Sequence, residues 1–170
     1  ALQAKGAEAV YAGDIAARIV AENRKRGGIL TVDDLAGYQV KVRAPITGSY
    51  RGYSIITAPP PAGGTHVLQL LNVLEESDLQ ALGEQSAATA HVWAEACKLV
   101  FADRAKYSAD PDFVKVPYHG LASKAYARTL AAQIKPDAVM KEPSAGDPSK
   151  YESGSTTHFS VMDRDGNMVA

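Results

Sequence analysis

The sequence has a single cysteine, Cys97, and one tryptophan in 170 residues. One thiol cannot build an intrachain disulfide framework or a cysteine-rich zinc module. It also leaves the redox compartment open, because a chain without disulfides fits cytosol and periplasm alike. No apolar run approaches the ~20 residues that a membrane-spanning helix needs, and no charged-then-apolar stretch opens the chain as a signal peptide would. A processed or shortened N-terminus would read the same way. An excess of charge of one sign is missing too: 18 Lys+Arg against 19 Asp+Glu leave a formal net charge of -1. That balance supplies neither the basic face of a nucleic-acid binder nor a polybasic membrane anchor.

What is present is an ordinary globular composition, 46% hydrophobic and 22% charged. At this length a chain buries roughly two-thirds of the surface its unfolded form exposes, so a sizeable core needs no staples. The amphipathic pattern from Asp14 onward predicts a helix capped by Asp14, with Ile15, Ile19 and Val20 on its inner face and Lys25-Arg26 in the last turn before Gly27-Gly28. Thr31 with an acidic residue three positions on predicts a short capped turn. Beyond Val40 the period changes to two. Ile46 to Tyr50 and Tyr53 to Thr57 are β-rich runs joined by Arg51-Gly52, the pattern of an antiparallel hairpin.

Pro59-Pro60-Pro61 and Gly63-Gly64 then require a stiff loop, read as a connector; its glycines lack the spacing of a phosphate cradle. Val67, Leu70, Leu71 and Leu74 predict a buried helix to about Glu76, with Glu75-Glu76 opposed to the helix dipole. A longer helix from Ser86 carries Val92, Trp93, Ala96, Leu99 and Val100 on one side and is stopped by Asp110-Pro111. Another runs from about Ser123 through Tyr126 and Leu130 to Ile134, before Lys135-Pro136. From Pro136 to Ser155 prolines, glycines and serines replace the apolar pattern, which predicts an exposed, cleavable loop. Thr157, Phe159 and Val161 next alternate with His158, Ser160 and Met162 in a strand ending at Asp163, and after a turn over 164–167 Met168-Val169-Ala170 begins its partner. The chain thus stops in mid-hairpin, as a natural domain rarely does.

The sharpest local feature is Tyr151 to Ser160, where a polar loop delivers Thr156-Thr157-His158 into a strand. A Thr-Thr pair ordinarily just opens a strand, because β-branched residues fit there. In company with Gly27-Gly28-Ile29-Leu30-Thr31, Asp34-Leu35, Arg51-Gly52-Tyr53, the proline loop, Ala102-Asp103-Arg104, Asp110 to Val114 and Val116-Pro117, it resembles the γ-glutamyltranspeptidase family. These are N-terminal-nucleophile hydrolases that cut their own precursor before such a motif. The ordered set of motifs extends over essentially the whole chain, where any one alone would be weak.

The resemblance implies that Thr156 is the nucleophile and that Ser155-Thr156 is the bond cut. Its α-amine, ordinarily titrating at roughly 7.7 to 8.0, becomes the base only once that cut frees it. Thr157 is expected to support the strand, and His158 to pack or hydrogen-bond. The implied activity is that of a γ-glutamyltransferase and glutathione hydrolase passing the γ-glutamyl group to water, amino acids or peptides, with no metal or organic cofactor. Residues 1–155 would be the C-terminal part of the large subunit and 156–170 the first strands of the small one. The arginine that holds substrate would precede Ala1; a second threonine, polar side chains and a pair of glycine amides would follow Ala170.

The implied fold is α+β: part of an αββα sandwich, this stretch being mostly helical with two β-hairpins. Periplasmic or secreted localisation follows from the same resemblance. A related cephalosporin or glutaryl acylase remains an alternative, as does an unprocessed, non-catalytic scaffold. Elsewhere the residues read as structural: Asp103-Arg104 as an ion pair or cap beside Asp110 and Asp112, Cys97 as a small core residue, Trp93 and the tyrosines as packing groups.

Overall fold

The N-terminal unit is built from helices too short to stand alone, α1 (Leu2–Lys5), α2 (Glu8–Tyr11), α3 (Asp14–Lys25) and α4 (Val32–Ala36). The structure, a computed structural model, describes residues 2–152, 161–162 and 168–169, and the chain divides into Ala1–Arg43 and Ala44–Ala170. Asp14 proves to be the first residue inside α3, with Gly13 at the cap, so it answers the positive end of the helix dipole through its charge. The inner face of α3 is Ala16 and Val20; Ile19 is turned out, 41% exposed. Small alanines let α2 and α3 approach closely, and fully buried Ala9 marks the contact. The helix ends as expected, with Gly27 at φ +80° and the Gly28 N–H returning to the Asn23 carbonyl. At α4 the Thr31 hydroxyl accepts from the Asp34 N–H while the Asp34 carboxylate accepts from the Thr31 N–H, a complete capping box.

The second unit opens with the hairpin of β1 (Ile46–Tyr50) and β2 (Tyr53–Thr57), in the expected register with Tyr50 opposite Tyr53. Arg51 and Gly52 both sit at positive φ, 48° and 84°, the two-residue turn whose twist matches paired strands. After the proline loop come α5 (Gly64–Glu75), α6 (Leu79–Leu82), α7 (Ala87–Tyr107), α8 (Tyr118–Leu121) and α9 (Lys124–Ala131). Serines cap α7 and α9, where Ser86 accepts from the Thr89 N–H and Ser123 from the Tyr126 N–H. A single 3-10 turn, Pro148–Tyr151, precedes the last hairpin, β3 (Val161–Met162) with β4 (Met168–Val169). Among the described residues the architecture is therefore α+β, mostly helical with two antiparallel strand pairs.

The core joins Val73 and Leu74 of α5, Val92, Ala96, Leu99 and Val100 of α7, Leu121 of α8, and Tyr126, Ala127 and Leu130 of α9. Each buried leucine is worth about 2 kcal/mol of burial. Two expected core residues lie outside it: Val67 is 55% exposed and Trp93 48% exposed. The inner face of α5 is rotated relative to the apolar pattern and carries Thr65, Gln69 and Asn72 beside Leu68 and Val73. Burial of these polar groups is offset where partners reach them, as when the Asn72 amide donates to the Ala122 carbonyl at 2.7 Å. The acidic end of α5 is answered from α9: Lys124 pairs with Glu75 and Arg128 lies 3.6 Å from Glu76.

The loop after α9 is exposed over most of its described residues, and it is also attached to the helices beside it. From Lys135 to Glu152 the chain is laid along α7 and α8, although many of its side chains are exposed. His91 Nε2 donates to the Lys135 carbonyl, the Met140 N–H donates to Glu95, Met140 packs against the core, and Pro148 is buried. Backbone groups rather than apolar side chains make most of these attachments, which is why hydrophobic patterning missed them.

Candidate active site

Ser155, Thr156, Thr157 and His158 lie outside the described residues. The structure does define the chain on both sides of them: Tyr151 and Glu152 before, and β3 after.

The upstream side is organised by Asp103, a fully buried carboxylate on α7. Its Oδ2 accepts from Gln69 Nε2 at 2.6 Å and from the Tyr126 hydroxyl at 2.7 Å, and its Oδ1 accepts from the Gly146 N–H at 2.9 Å. One side chain thus ties together α5, α9 and the segment leading to Tyr151 and Glu152. This replaces the ion pair or cap expected for Asp103-Arg104. Arg104 is exposed, its guanidinium 5.5 Å from the centre of the Phe101 ring. Asp110 instead accepts from the Asp112 N–H at 3.0 Å in the loop after α7. Burial, with the bond to Asp103, pushes the Tyr126 phenol far above its ordinary range, so it stays a donor at any working pH.

The Gly146 peptide is held from its other side as well, its carbonyl accepting from the Tyr107 hydroxyl at 2.8 Å. No side chain larger than hydrogen fits there, since a Cβ on Gly146 would lie 2.3 Å from the Tyr126 hydroxyl oxygen. Further on, the Tyr151 ring packs 5.5 Å from that of Tyr126, and Glu152 Oε2 accepts from the Gly120 N–H at 2.8 Å. Gly120 is a tight contact too: a Cβ there would meet the Pro148 carbonyl oxygen at 2.0 Å.

A second acid on α7, Glu95, fixes the start of the same segment. It takes a 2.6 Å ion pair from Lys98 and a 2.8 Å bond from the Met140 N–H, while Lys98 also donates to the Met140 carbonyl. The Lys98 ammonium, then the Met140 amide, hold the Glu95 carboxyl below the usual range. Cys97 is half-buried, and burial pushes its thiol up, away from a reactive thiolate. Among the described residues no group of three or more His, Cys, Asp or Glu is placed to hold a metal ion.

Sequence reading did not find the Asp103 and Glu95 attachments, yet a signal existed. Both acids stand in phase with Ala96, Leu99 and Val100 on the buried face of α7, and an acid on an apolar stripe needs an explanation.

Comparison with known proteins matches the sequence to the gamma-glutamyltranspeptidase family over residues 1–170. The glutathione hydrolase proenzyme of Escherichia coli K12 is 47% identical over 97% of this chain, and the Acylase ACY 1 proenzyme of Pseudomonas sp. V22 is 45% identical over 99%. The chain spans only 29% and 30% of those relatives' lengths. Among solved structures, Helicobacter pylori gamma-glutamyltranspeptidase superposes with TM-score 0.75 and 43% identity, over 91% of this chain and 45% of that one. Cephalosporin acylase from Bacillus halodurans gives TM-score 0.72 and 33% identity, over 98% of this chain and 29% of that one. A match from end to end in sequence, together with similarity of fold at these identities, leaves one conclusion: the chain belongs to the γ-glutamyltranspeptidase family of N-terminal-nucleophile hydrolases.

Proposed function

We propose that this chain is the stretch around the self-processing site of a γ-glutamyltransferase/glutathione hydrolase precursor. Residues 1–155 are the C-terminal part of its large subunit and 156–170 the first strands of its small subunit. The observation that carries this reading is the unbroken family match through Thr156-Thr157-His158, with relatives whose names include "proenzyme".

In this reading the Thr156 hydroxyl attacks the Ser155 carbonyl carbon, and the peptide C–N bond breaks as its nitrogen takes up the hydroxyl proton. The resulting ester is hydrolysed by water, which leaves a carboxylate on Ser155 and a free amine and hydroxyl on Thr156. Before the cut the nitrogen is an amide without basicity, so processing and activation are one event. Afterwards the amine accepts the hydroxyl proton as Thr156 attacks the carbonyl carbon of a γ-glutamyl amide such as glutathione, and returns that proton to the departing amine as the amide C–N bond breaks. The γ-glutamyl ester then passes its acyl group to water, an amino acid or a peptide. Thr156 and its own amine do this chemistry, with the remainder of both subunits completing the pocket. A periplasmic or secreted location belongs to the same reading.

The acylase relatives support a second reading, in which the same nucleophile acts on a glutaryl amide. Mass spectrometry of the full-length precursor tests the common core of both. Cleavage before Thr156 is expected in wild type, lost in Thr156→Ala and kept in His158→Ala. An uncut wild-type chain returns the segment to the role of an unprocessed scaffold. Turnover of glutathione against a glutaryl amide by the cleaved protein then separates the two substrates.

A further inference from the structure

We propose that the Gly146 peptide and the Glu152 carboxylate are the two ends of a clamp that positions the chain ahead of Thr156 for self-cleavage, with Asp103, Tyr107 and Glu152 as its positioning residues. The inference rests on the processing reading above and adds to it the residues that aim the bond to be cut.

The segment 146–152 is fixed twice. At its first end both backbone polar groups of Gly146 are gripped, the N–H by buried Asp103 Oδ1 and the carbonyl by the Tyr107 hydroxyl. At the other end Glu152 is held through the Gly120 N–H, three positions before Ser155 in sequence. Between them Pro148 is buried with its carbonyl against Gly120, and the Tyr151 ring lies on Tyr126. Neither end is needed to close the hydrophobic core, which α5, α7, α8 and α9 complete without them. A buried acid that commits one of its two oxygens to a loop amide, and a glycine at each contact that excludes any side chain, mark a segment held in one position.

Self-cleavage is unimolecular, so its rate depends on how often the hydroxyl and carbonyl meet in attack geometry, and a 1 Å misplacement can cost roughly 100-fold. The clamp acts on the carbonyl side of the bond. After cleavage that side becomes a free C-terminus, while Thr156 becomes the N-terminus of the other subunit, so aiming the Ser155 carbonyl has no further part in turnover. This gives the clamp a signature distinct from general stabilisation.

The test is a time course of cleavage in cell-free synthesis of the full-length precursor. Glu152→Ala is expected to cleave about 10-fold or more slowly, while Glu152→Gln, whose amide oxygen can still accept from Gly120, stays within about twofold of wild type. Tyr107→Phe, which keeps the ring and loses the bond to Gly146, is expected to slow cleavage as well. Turnover per cleaved molecule should match wild type in all three. Cleavage of Glu152→Ala at the wild-type rate overturns the clamp, and so does a loss of turnover per cleaved molecule parallel to the loss of cleavage. If the wild-type precursor does not cleave, or Thr156→Ala still does, it is the processing reading that fails.

Discussion

Asp103 shows how much can depend on one side chain. An aspartate within the apolar phase of a helix is costly unless its lone pairs are used, and here three donors from three parts of the chain use them. Truncation leaves the Gln69 amide, the Tyr126 hydroxyl and the Gly146 N–H to find other partners in a dry site. Asp103→Ala is therefore expected to destabilise the protein by about 3 kcal/mol or more, and Tyr126→Phe, which removes one donor and keeps the ring, by about 1 to 2 kcal/mol. Urea unfolding of the folded protein reads both. Equal losses in the two variants would show that the carboxylate does not serve all three donors. The acid itself is visible in the sequence, but its partners are not, because Gln69, Tyr126 and Gly146 are brought to it by helix packing.

At the scale of elements, local chemistry predicted boundaries well wherever the signal was a cap or a turn. The Thr31 capping box, the Arg51-Gly52 turn and the serines before α7 and α9 lie where their residue types require. Which face an element buries was less legible. Ile19, Val67 and Trp93 belong to apolar patterns yet face outward, since neighbouring helices choose the face by fit and by the polar partners they offer. The junction of β2 and α5 gives an element-scale prediction. A Cβ at Gly64 would stand 2.2 Å from the Thr57 hydroxyl oxygen and 2.3 Å from the Ala58 carbonyl oxygen, so the start of α5 would have to move off the end of β2. Gly64→Ala is expected to cost about 2 to 3 kcal/mol, although alanine is the better helix former. A thermal melt at or above the wild-type midpoint would contradict this.

For the whole molecule, the outward surfaces are informative. Ile56 and Tyr53 on β2 are 73% and 75% exposed, and Phe113 is 86% exposed. Exposed apolar groups of this size suit contact with further chain, consistent with a segment spanning 29% of its Escherichia coli relative. Catalysis would then depend on pieces from outside the segment, since the arginine and the glycine amides of the family pocket are expected beyond its ends. Each such donor is worth about 100- to 1000-fold in rate. On the proposed function, the 170-residue chain is accordingly expected to show no turnover of γ-glutamyl-p-nitroanilide, and the full-length precursor is expected to turn it over. Clear turnover by the purified chain would mean that the pocket is complete within it.

The sequence by itself determined the longer helices and the Arg51-Gly52 turn, the absence of a disulfide frame, and the motif series leading to Thr156. These follow from local interactions, which neighbours in the chain carry without help from the fold. Only the tertiary structure decided how residues 136–152 are held. A stretch rich in glycine, proline and serine reads as an exposed loop because it lacks an apolar period. It is fixed instead by its backbone, through Glu95, Asp103 and Tyr107 of α7, and by the Glu152 carboxylate on the Gly120 amide of α8. Hydrogen bonds between a peptide group and a distant side chain leave no periodic trace in sequence, so the path toward the proposed cleavage position becomes visible only once the helices are packed.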